Sequence, residues 1–312
     1  SGSGNGFDGN WGTYPFLPSG NIISSDINSG ANQNAKLLVY ERQFQQACYL
    51  EGIVTDANTT NAIASANIEI LTSSILTSTN ISGAYTSGIA NGGTYNILFS
   101  KPGYESDTIS TILSNGVLAT VNAQLVPLPS FTGNGIVTDI NGNGIANAQV
   151  LIYNNDFTFT ATTDQNGNFN ITSMYDGNYE VIAGQWGYNT ICGNENITVN
   201  NNNLTIVLPE GYYDDFTFDF GWTISGGITL SDPGRWERGD PEGTSDQGLN
   251  YNPENDINAD CFEYAYVTGL DAGGQVGSND VDDFNTILTS PVFDLSNSNQ
   301  HYLSYYSWFS NG

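Results

Sequence analysis

Along most of this chain, apolar residues alternate with polar ones over short runs, and each run ends at a turn signal. Ala148-Gln149-Val150-Leu151-Ile152-Tyr153 and Tyr179-Glu180-Val181-Ile182-Ala183 are two such runs. Successive strand side chains point to opposite faces, so a period of two buries one face and wets the other. The runs are rich in Val, Ile, Thr, Tyr and Phe, and clusters of turn residues separate them by roughly eight to twelve positions, the rhythm of a β-sandwich. Helix patterning is close to absent. Asn141-Gly142 and Asn166-Gly167 fall between runs and predict two-residue hairpins of type I′, in which both central residues take positive φ.

Much of this pattern is written twice, about 84 residues apart. Gly52-Ile53-Val54-Thr55-Asp56 returns as Gly135-Ile136-Val137-Thr138-Asp139, and Ala66-Asn67-Ile68-Glu69-Ile70 as Ala148-Gln149-Val150-Leu151-Ile152. Gly83-Ala84-Tyr85 returns as Gly167-Asn168-Phe169, Thr94-Tyr95 as Asn178-Tyr179, and Gly103-Tyr104 as Gly187-Tyr188. Solenoid units run at roughly 20–50 residues and cannot bury a core alone. A unit of the present length is a whole small domain. The expected organisation is a short β segment over 1–46, sandwiches over 47–128 and 129–210, and a last segment over 211–312 rich in Asp, Gly and Trp. The prolines of Val126-Pro127-Leu128-Pro129 hold the joint between the sandwiches in extended geometry.

Composition narrows the chemistry. The chain has 5 Lys+Arg against 32 Asp+Glu, a formal net charge of -27, yet only 12% of its residues are charged. Asn, Ser, Thr and Gly supply the polar surface instead. Such a surface repels phosphate backbones, which excludes nucleic acid as a partner, and it favours cations, calcium first. No apolar stretch approaches membrane-spanning length, so membrane insertion is not expected. No signal peptide opens the chain, and Ser1 to Gly6 reads as a mobile lead-in or an internal cut. Cys48, Cys192 and Cys261 lie far apart, which excludes a CxxC motif or a zinc knuckle. Their odd number leaves at least one unpaired within the chain, and each reads as a small buried hydrophobe.

The duplicated unit resembles the carboxypeptidase regulatory-like family of transthyretin-like sandwiches. The resemblance is carried by the opening Gly-x-Val-x-Asp, the Ala-x-(Val/Ile) strand, Thr163-Asp164-Gln165-Asn166-Gly167-Asn168-Phe169, and Gly177-Asn178-Tyr179 with Gly187-Tyr188. The first copy departs from the pattern at Asn80, where the family has Asp. The resemblance implies a non-catalytic stalk or spacer. Residues 211–312 resemble the start of a MAM-like jelly roll, through Asp215-Phe216, Gly221-Trp222, Trp236-Glu237-Arg238-Gly239-Asp240-Pro241, Asp280-Val281-Asp282-Asp283 and Leu288-Thr289-Ser290-Pro291. Such a fold is longer than this stretch, which implies that part of it lies outside the sequence. Trp11-Gly12 and Tyr14-Pro15-Phe16-Leu17-Pro18-Ser19-Gly20 resemble the last blade of an LVIVD-repeat propeller. That order of modules resembles large proteins exported by type IX secretion. The expected fold class is therefore all-β: two tandem seven-stranded-type sandwiches, then an incomplete jelly-roll sandwich, with a short β remnant at the N-terminus.

Catalytic motifs are scarce. The one histidine, His301, lies in the alternating run Gln300-His301-Tyr302-Leu303-Ser304, which predicts a strand, and no Gly-x-Ser-x-Gly elbow accompanies it. Zinc-peptidase, P-loop and dinucleotide motifs are missing from the sequence. Asp280 and Asp282 stand at alternate positions, so an extended backbone turns both carboxylates toward one hard cation. Asp215 and Asp271 are the acids expected to complete that calcium site, and resemblance to the jelly-roll family adds to the case. Asp139-Ile140-Asn141-Gly142-Asn143-Gly144 imitates half an EF-hand loop but lacks the closing Glu, since Val150 occupies that place, and reads as a turn. Trp222, Trp236, Tyr264, Tyr266, Tyr305, Tyr306 and Trp308 could supply a sugar-stacking platform, although sandwiches bury most large rings. Asp107-Thr108-Ile109 matches the Asp-(Ser/Thr)-aliphatic pattern, which makes Thr108 the expected glycosylation site.

These features point first to a non-catalytic, extracellular spacer or adhesion-type segment of a large secreted or surface-anchored bacterial protein. Self-association along Thr- and Asn-rich edges such as 196–207 would suit it, as would binding to surface glycans and work beside missing domains of the same polypeptide. Two alternatives stay open: accessory domains of a secreted peptidase or other hydrolase whose catalytic domain lies outside this chain, and a glycan-binding module.

Overall fold

A computed structural model describes residues 21–26, 36–41, 46–226, 234–257, 260–270, 281, 285–296 and 300–308. The described residues are all-β, as the alternation predicts. Two compact units are present, Ser1–Leu128 and Pro129–Gly312.

In the first unit, β1 (Asn21–Asp26) and β2 (Lys36–Glu41) form an antiparallel ribbon. A sandwich follows, built from β3 (Cys48–Asp56), β4 (Asn67–Ile70), β5 (Ile75–Ser78), β6 (Ala84–Ile89), β7 (Gly93–Ser100), β8 (Asp107–Leu113), β9 (Leu118–Thr120) and β10 (Ala123–Leu125). One sheet runs β10-β3-β6, with β9 also on β3, and the other runs β5-β4-β7-β8. Strand β3 alternates buried and less buried positions along its whole length. Its Cys48, Leu50 and Val54 meet Ile68, Ile70, Ile97 and Phe99 of the facing sheet in one buried core.

The second unit repeats this plan with β11 (Phe131–Thr138), β12 (Gln149–Tyr153), β13 (Thr158–Thr162), β14 (Asn168–Met174), β15 (Gly177–Gly184), β16 (Ile191–Ile197) and β17 (Asn203–Val207). Its sheets run β14-β11-β17 and β13-β12-β15-β16 around Val137, Val150, Ile152, Phe169, Tyr179 and Ile197. Its seven strands match the count expected from the sequence, and the first sandwich has eight because its closing edge is split into β9 and β10. The last segment adds three antiparallel ribbons: β18 (Thr223–Gly226) with β23 (Thr286–Thr289), β19 (Trp236–Gly239) with β22 (Ala265–Thr268), and β20 (Thr244–Asp246) with β21 (Leu249–Asn252). The strand predicted around His301 is not formed. Residues 300–308 are coil and exposed, since alternation yields a strand only where the run enters a sheet and none of the described sheets includes it.

Two details of each sandwich bear on function. First, the opening and closing strands run parallel: β10 pairs Ala123 with Val54 and Leu125 with Asp56, and β17 pairs Asn134 with Asn203 through Thr138 with Val207. The chain therefore enters each sandwich at one end and leaves at the other. Second, a glycine of the opening strand faces a ring of its neighbour, Gly52 opposite Tyr85 and Gly135 opposite Phe169. A methyl on Gly52 would lie 1.8 Å from the Val121 carbonyl oxygen, so the parallel strand can approach only because that side chain is missing.

Candidate functional site

The polar residues shared by the two copies come first as candidates. Asp139 Oδ1 accepts the Asn141 and Asn143 N–H groups at 2.8 Å each, and Oδ2 accepts from the Asn143 side chain. Asp164 accepts the Asn166 and Asn168 N–H groups in the same way. These donors hold both carboxyls below the usual carboxylate range, led by the Asn143 amide at Asp139 and the Asn168 N–H at Asp164. Asn80 reproduces the turn without charge, its Oδ1 accepting from Ser82 and Ala84 N–H. The half EF-hand is thus a turn with its oxygens already engaged.

The turn type differs from the type I′ expected. Gly142 and Gly167 have φ of 84° and 80°, but neither Asn141 nor Asn166 has positive φ. Gly142 N donates to Asp139 O and Asp139 N to Asn143 O, which is a type I turn followed by a glycine bulge. The Asx hydrogen bonds at the first turn position favour that form over the two-residue one. A second shared feature had no sequence signal. Thr79 and Thr163 are buried, and each hydroxyl donates to one backbone carbonyl (Ile63 or Ile145, 2.6 Å) while accepting a backbone N–H (Ala66 or Ala148).

Asp215 leads to a different place. The segment after β17 folds back on the second sandwich through bridges of Tyr188 with Glu210 and Asn189 with Tyr213. Trp186 then packs against Tyr212 and Phe293 at 5.1 and 5.0 Å between ring centres, and its indole donates to Val292 O at 2.8 Å. A disulfide joins Cys192 of β16 to Cys261, with Cα atoms 5.6 Å apart, while Cys48 is free and buried. The reading of all three cysteines as buried hydrophobes therefore holds for Cys48 alone. Cysteines distant in sequence reveal no connectivity until the fold brings them together.

Beside the bridge lies an acidic corner. Asp215 is 1% exposed and accepts the N–H groups of Thr217 and Cys261. Burial raises its carboxyl above the usual range, and it does the same to Asp214, which accepts the Trp222 indole at 2.7 Å. Asp256 is pushed up to about 6, by burial first and then by repulsion from Asp260 and Asp215. Its Oδ2 is buried without a donor, and when protonated it can donate to Asp260. Asp260 also accepts from the Tyr213 hydroxyl. The acids gathered around Asp215 are thus Asp256 and Asp260, which sequence spacing did not single out. Asp271, Asp280 and Asp282 lie outside the described residues. Among the described residues, no group of three or more His, Cys, Asp or Glu side chains is arranged to hold a metal ion.

The aromatic candidates separate into two groups. Trp222 and Tyr266 pack with Phe216, and Tyr264 lies against Phe262 with the Arg238 guanidinium 5.2 Å from its ring centre. That guanidinium also donates to the Phe216 and Thr217 carbonyls. Tyr305, Tyr306 and Trp308 are exposed on the last coil segment, with the Trp308 indole bonded to Tyr251 O. Thr108 is exposed on the edge strand β8 and pairs with Leu98, the register that Cys192 has with Ile182. Lys101 Nζ, on the first sandwich, donates to Ser65 O. Two open depressions of about 640 and 550 Å³ on the second sandwich are lined mainly by Asn, Thr and Tyr, the first with one acid, Asp164, and the second with two, Asp156 and Glu180.

No helix among the described residues is long and apolar enough to cross a membrane. A comparison with curated proteins gives no match. Among solved structures, the chain is similar to a Streptococcal ancillary pilin (13% identity, TM-score 0.38, 62% of this chain and 76% of that one). It is also similar to the shaft pilin SpaA from Lactobacillus rhamnosus GG (12%, 0.31, 54% and 99%) and to GBS52, the minor pilin of Streptococcus agalactiae (14%, 0.32, 53% and 97%). Likeness at that level carries no argument about activity. The family description "Carboxypeptidase regulatory-like domain" matches residues 49–126 and 134–209, the two sandwiches whose strand order and turn chemistry coincide. The middle of this chain is therefore a tandem pair of carboxypeptidase regulatory-like domains.

Proposed function

We propose that this chain is a non-catalytic structural segment, a spacer of adhesion type, belonging to a large protein of the bacterial exterior. The observation that carries the reading is the parallel pairing of first and last strands in both sandwiches. A domain that receives the chain at one end and releases it at the other advances it by its own length. For the eight residues of β11 this is about 26 Å. Supporting this, the polar residues common to both copies are consumed by turns and buried backbone contacts. The disulfide suits an oxidising compartment outside the cytosol. Exchanging both sandwiches, within the parent polypeptide, for an unrelated pair that also receives and releases the chain at opposite ends tests the reading. Retained function is expected, and loss of function with folding intact would overturn it.

Calcium belongs to this proposal as a structural ion, bound by Asp280 and Asp282 with Asp215 or Asp271. Calorimetry with calcium chloride at millimolar concentration is expected to show uptake that Asp282→Asn abolishes, and absence of heat would remove the ion from the account. Copies of the chain and surface glycans are the partners this reading admits, the former through the open edges of β16 and β17. A monodisperse monomer at high concentration by light scattering would exclude self-association.

A further inference from the structure

The disulfide lies in a particular relation to the strand order. Residues 193–260 fall inside the loop it closes, and with them most of β16, all of β17, and β18 through β21. Of the last segment's strands, only β22 and β23 fall outside. Only the β20–β21 ribbon, marginal by itself in water, lies wholly inside, since β18 and β19 pair with β23 and β22 beyond Cys261. The bridge also lies where the chain leaves the second sandwich, since β16 begins directly after the loop that bridges to Glu210 and Tyr213.

We infer that the Cys192–Cys261 bridge is a tension bypass: a pull applied to the ends of the chain crosses the second unit through the sulfur atoms and leaves the enclosed β17 and the β20–β21 hairpin unloaded. The inference rests on the spacer reading, because only a chain that is pulled has use for a bypass. Without the bridge, a pull enters through β11 and leaves through β17, so that the β11–β17 pairing and the β20–β21 hairpin lie in line with the load. With it, Cα atoms 69 residues apart in sequence remain 5.6 Å apart, and the intervening stretch cannot extend. At 3.3–3.6 Å per extended residue, that withholds about 240 Å of chain. The first sandwich makes a natural comparison. The position matching Cys192 by register is Thr108, after which the chain runs through β9 and β10 to the Val126–Pro129 joint. The duplicated module carries the bridge only where a hairpin, β20–β21, follows its closing strand. Trp186, with Tyr212 and Phe293, supplies the noncovalent part of the same junction.

The test is single-molecule stretching of the full chain, tethered at both ends, before and after a thiol reductant is added to the immobilised folded protein. The fully extended chain is expected to be about 240 Å longer after reduction, with the unfolding step of the first sandwich unchanged as an internal ruler. The double variant Cys192→Ser with Cys261→Ser should give the long trace without reductant. Should that variant not fold, the wild-type comparison decides alone. Equal lengths before and after reduction would overturn the inference, as would three alkylatable thiols in the denatured, unreduced protein where one is expected. The length difference does not depend on the module exchange described above, so failure of the spacer reading would leave it in place and be recognised separately.

Discussion

Replacing Thr163 with Val removes one hydroxyl and keeps the shape of the side chain. In the folded protein that hydroxyl donates to Ile145 O at 2.6 Å and accepts Ala148 N–H at 2.8 Å, and the side chain is buried. The substitution leaves one buried donor and one buried acceptor without this partner. Each orphaned group costs about 1–3 kcal/mol, and the added methyl returns about 0.8 kcal/mol. The net loss is about 2–4 kcal/mol, a large share of the roughly 5–15 kcal/mol that holds a domain folded. Urea unfolding read by tryptophan fluorescence is the assay, since Trp186, Trp222, Trp236 and Trp308 all belong to the second unit. With a urea slope of about 1–3 kcal/mol per molar, the midpoint should fall by about 1–2 M. Thr163→Ser keeps both hydrogen bonds and should cost about 1 kcal/mol for the lost methyl. Thr79→Val makes the matching lesion in the other unit and should leave the tryptophan midpoint where it was. If Thr163→Val and Thr163→Ser behave alike, the hydroxyl is not what joins these strands and the reasoning fails.

Glycine substitutions should divide sharply. Gly52→Ala forces a methyl against the Val121 backbone and the Tyr85 ring and should cost more than about 3 kcal/mol, whereas Gly142→Ala, at φ +84° with nothing within 4 Å, should cost about 1–2 kcal/mol, both by urea unfolding followed by far-UV circular dichroism, which reports on both units. Stability of the second unit should depend on pH in two opposed ways. The Asp256 carboxyl is raised to about 6 when folded, so in calcium-free buffer its protonation adds stability as pH falls from about 7 toward 4. The Asp139 and Asp164 carboxyls are lowered, so their contribution is present above the unfolded value near 4 and is lost as pH falls below it. Thermal unfolding across this range should therefore pass through a maximum near the unfolded carboxyl value of about pH 4, and Asp256→Asn should flatten its alkaline side.

What the sequence disclosed follows from the range of each interaction. Alternation and turn residues are local, so the strands were legible along the chain, and the duplication showed that both sandwiches share one plan. The hairpin type was misread because Asn-Gly serves two turns, and the choice between them lies with Asp139 and Asp164 two residues upstream. The strand around His301 was misread because alternation promises a strand only where a neighbour exists to pair with it. The Cys192–Cys261 bridge and the gathering of Asp215, Asp256 and Asp260 were not legible at all. They depend on the segment after β17 folding back, and no residue spacing records that.

The cations of this chain tell a last story. Lys101 and Arg238 each give their hydrogen bonds to backbone carbonyls, at Ser65 and at Phe216 with Thr217, while 32 acids surround them. With 32 Asp+Glu against 5 Lys+Arg, repulsion among like charges outweighs attraction, and dissolved ions mask chiefly the repulsion. The Debye length shrinks to about 10 Å at 0.1 M salt and to about 3 Å at 1 M, which progressively silences that repulsion. Brine should tighten this protein, where it would loosen one fastened by ion pairs.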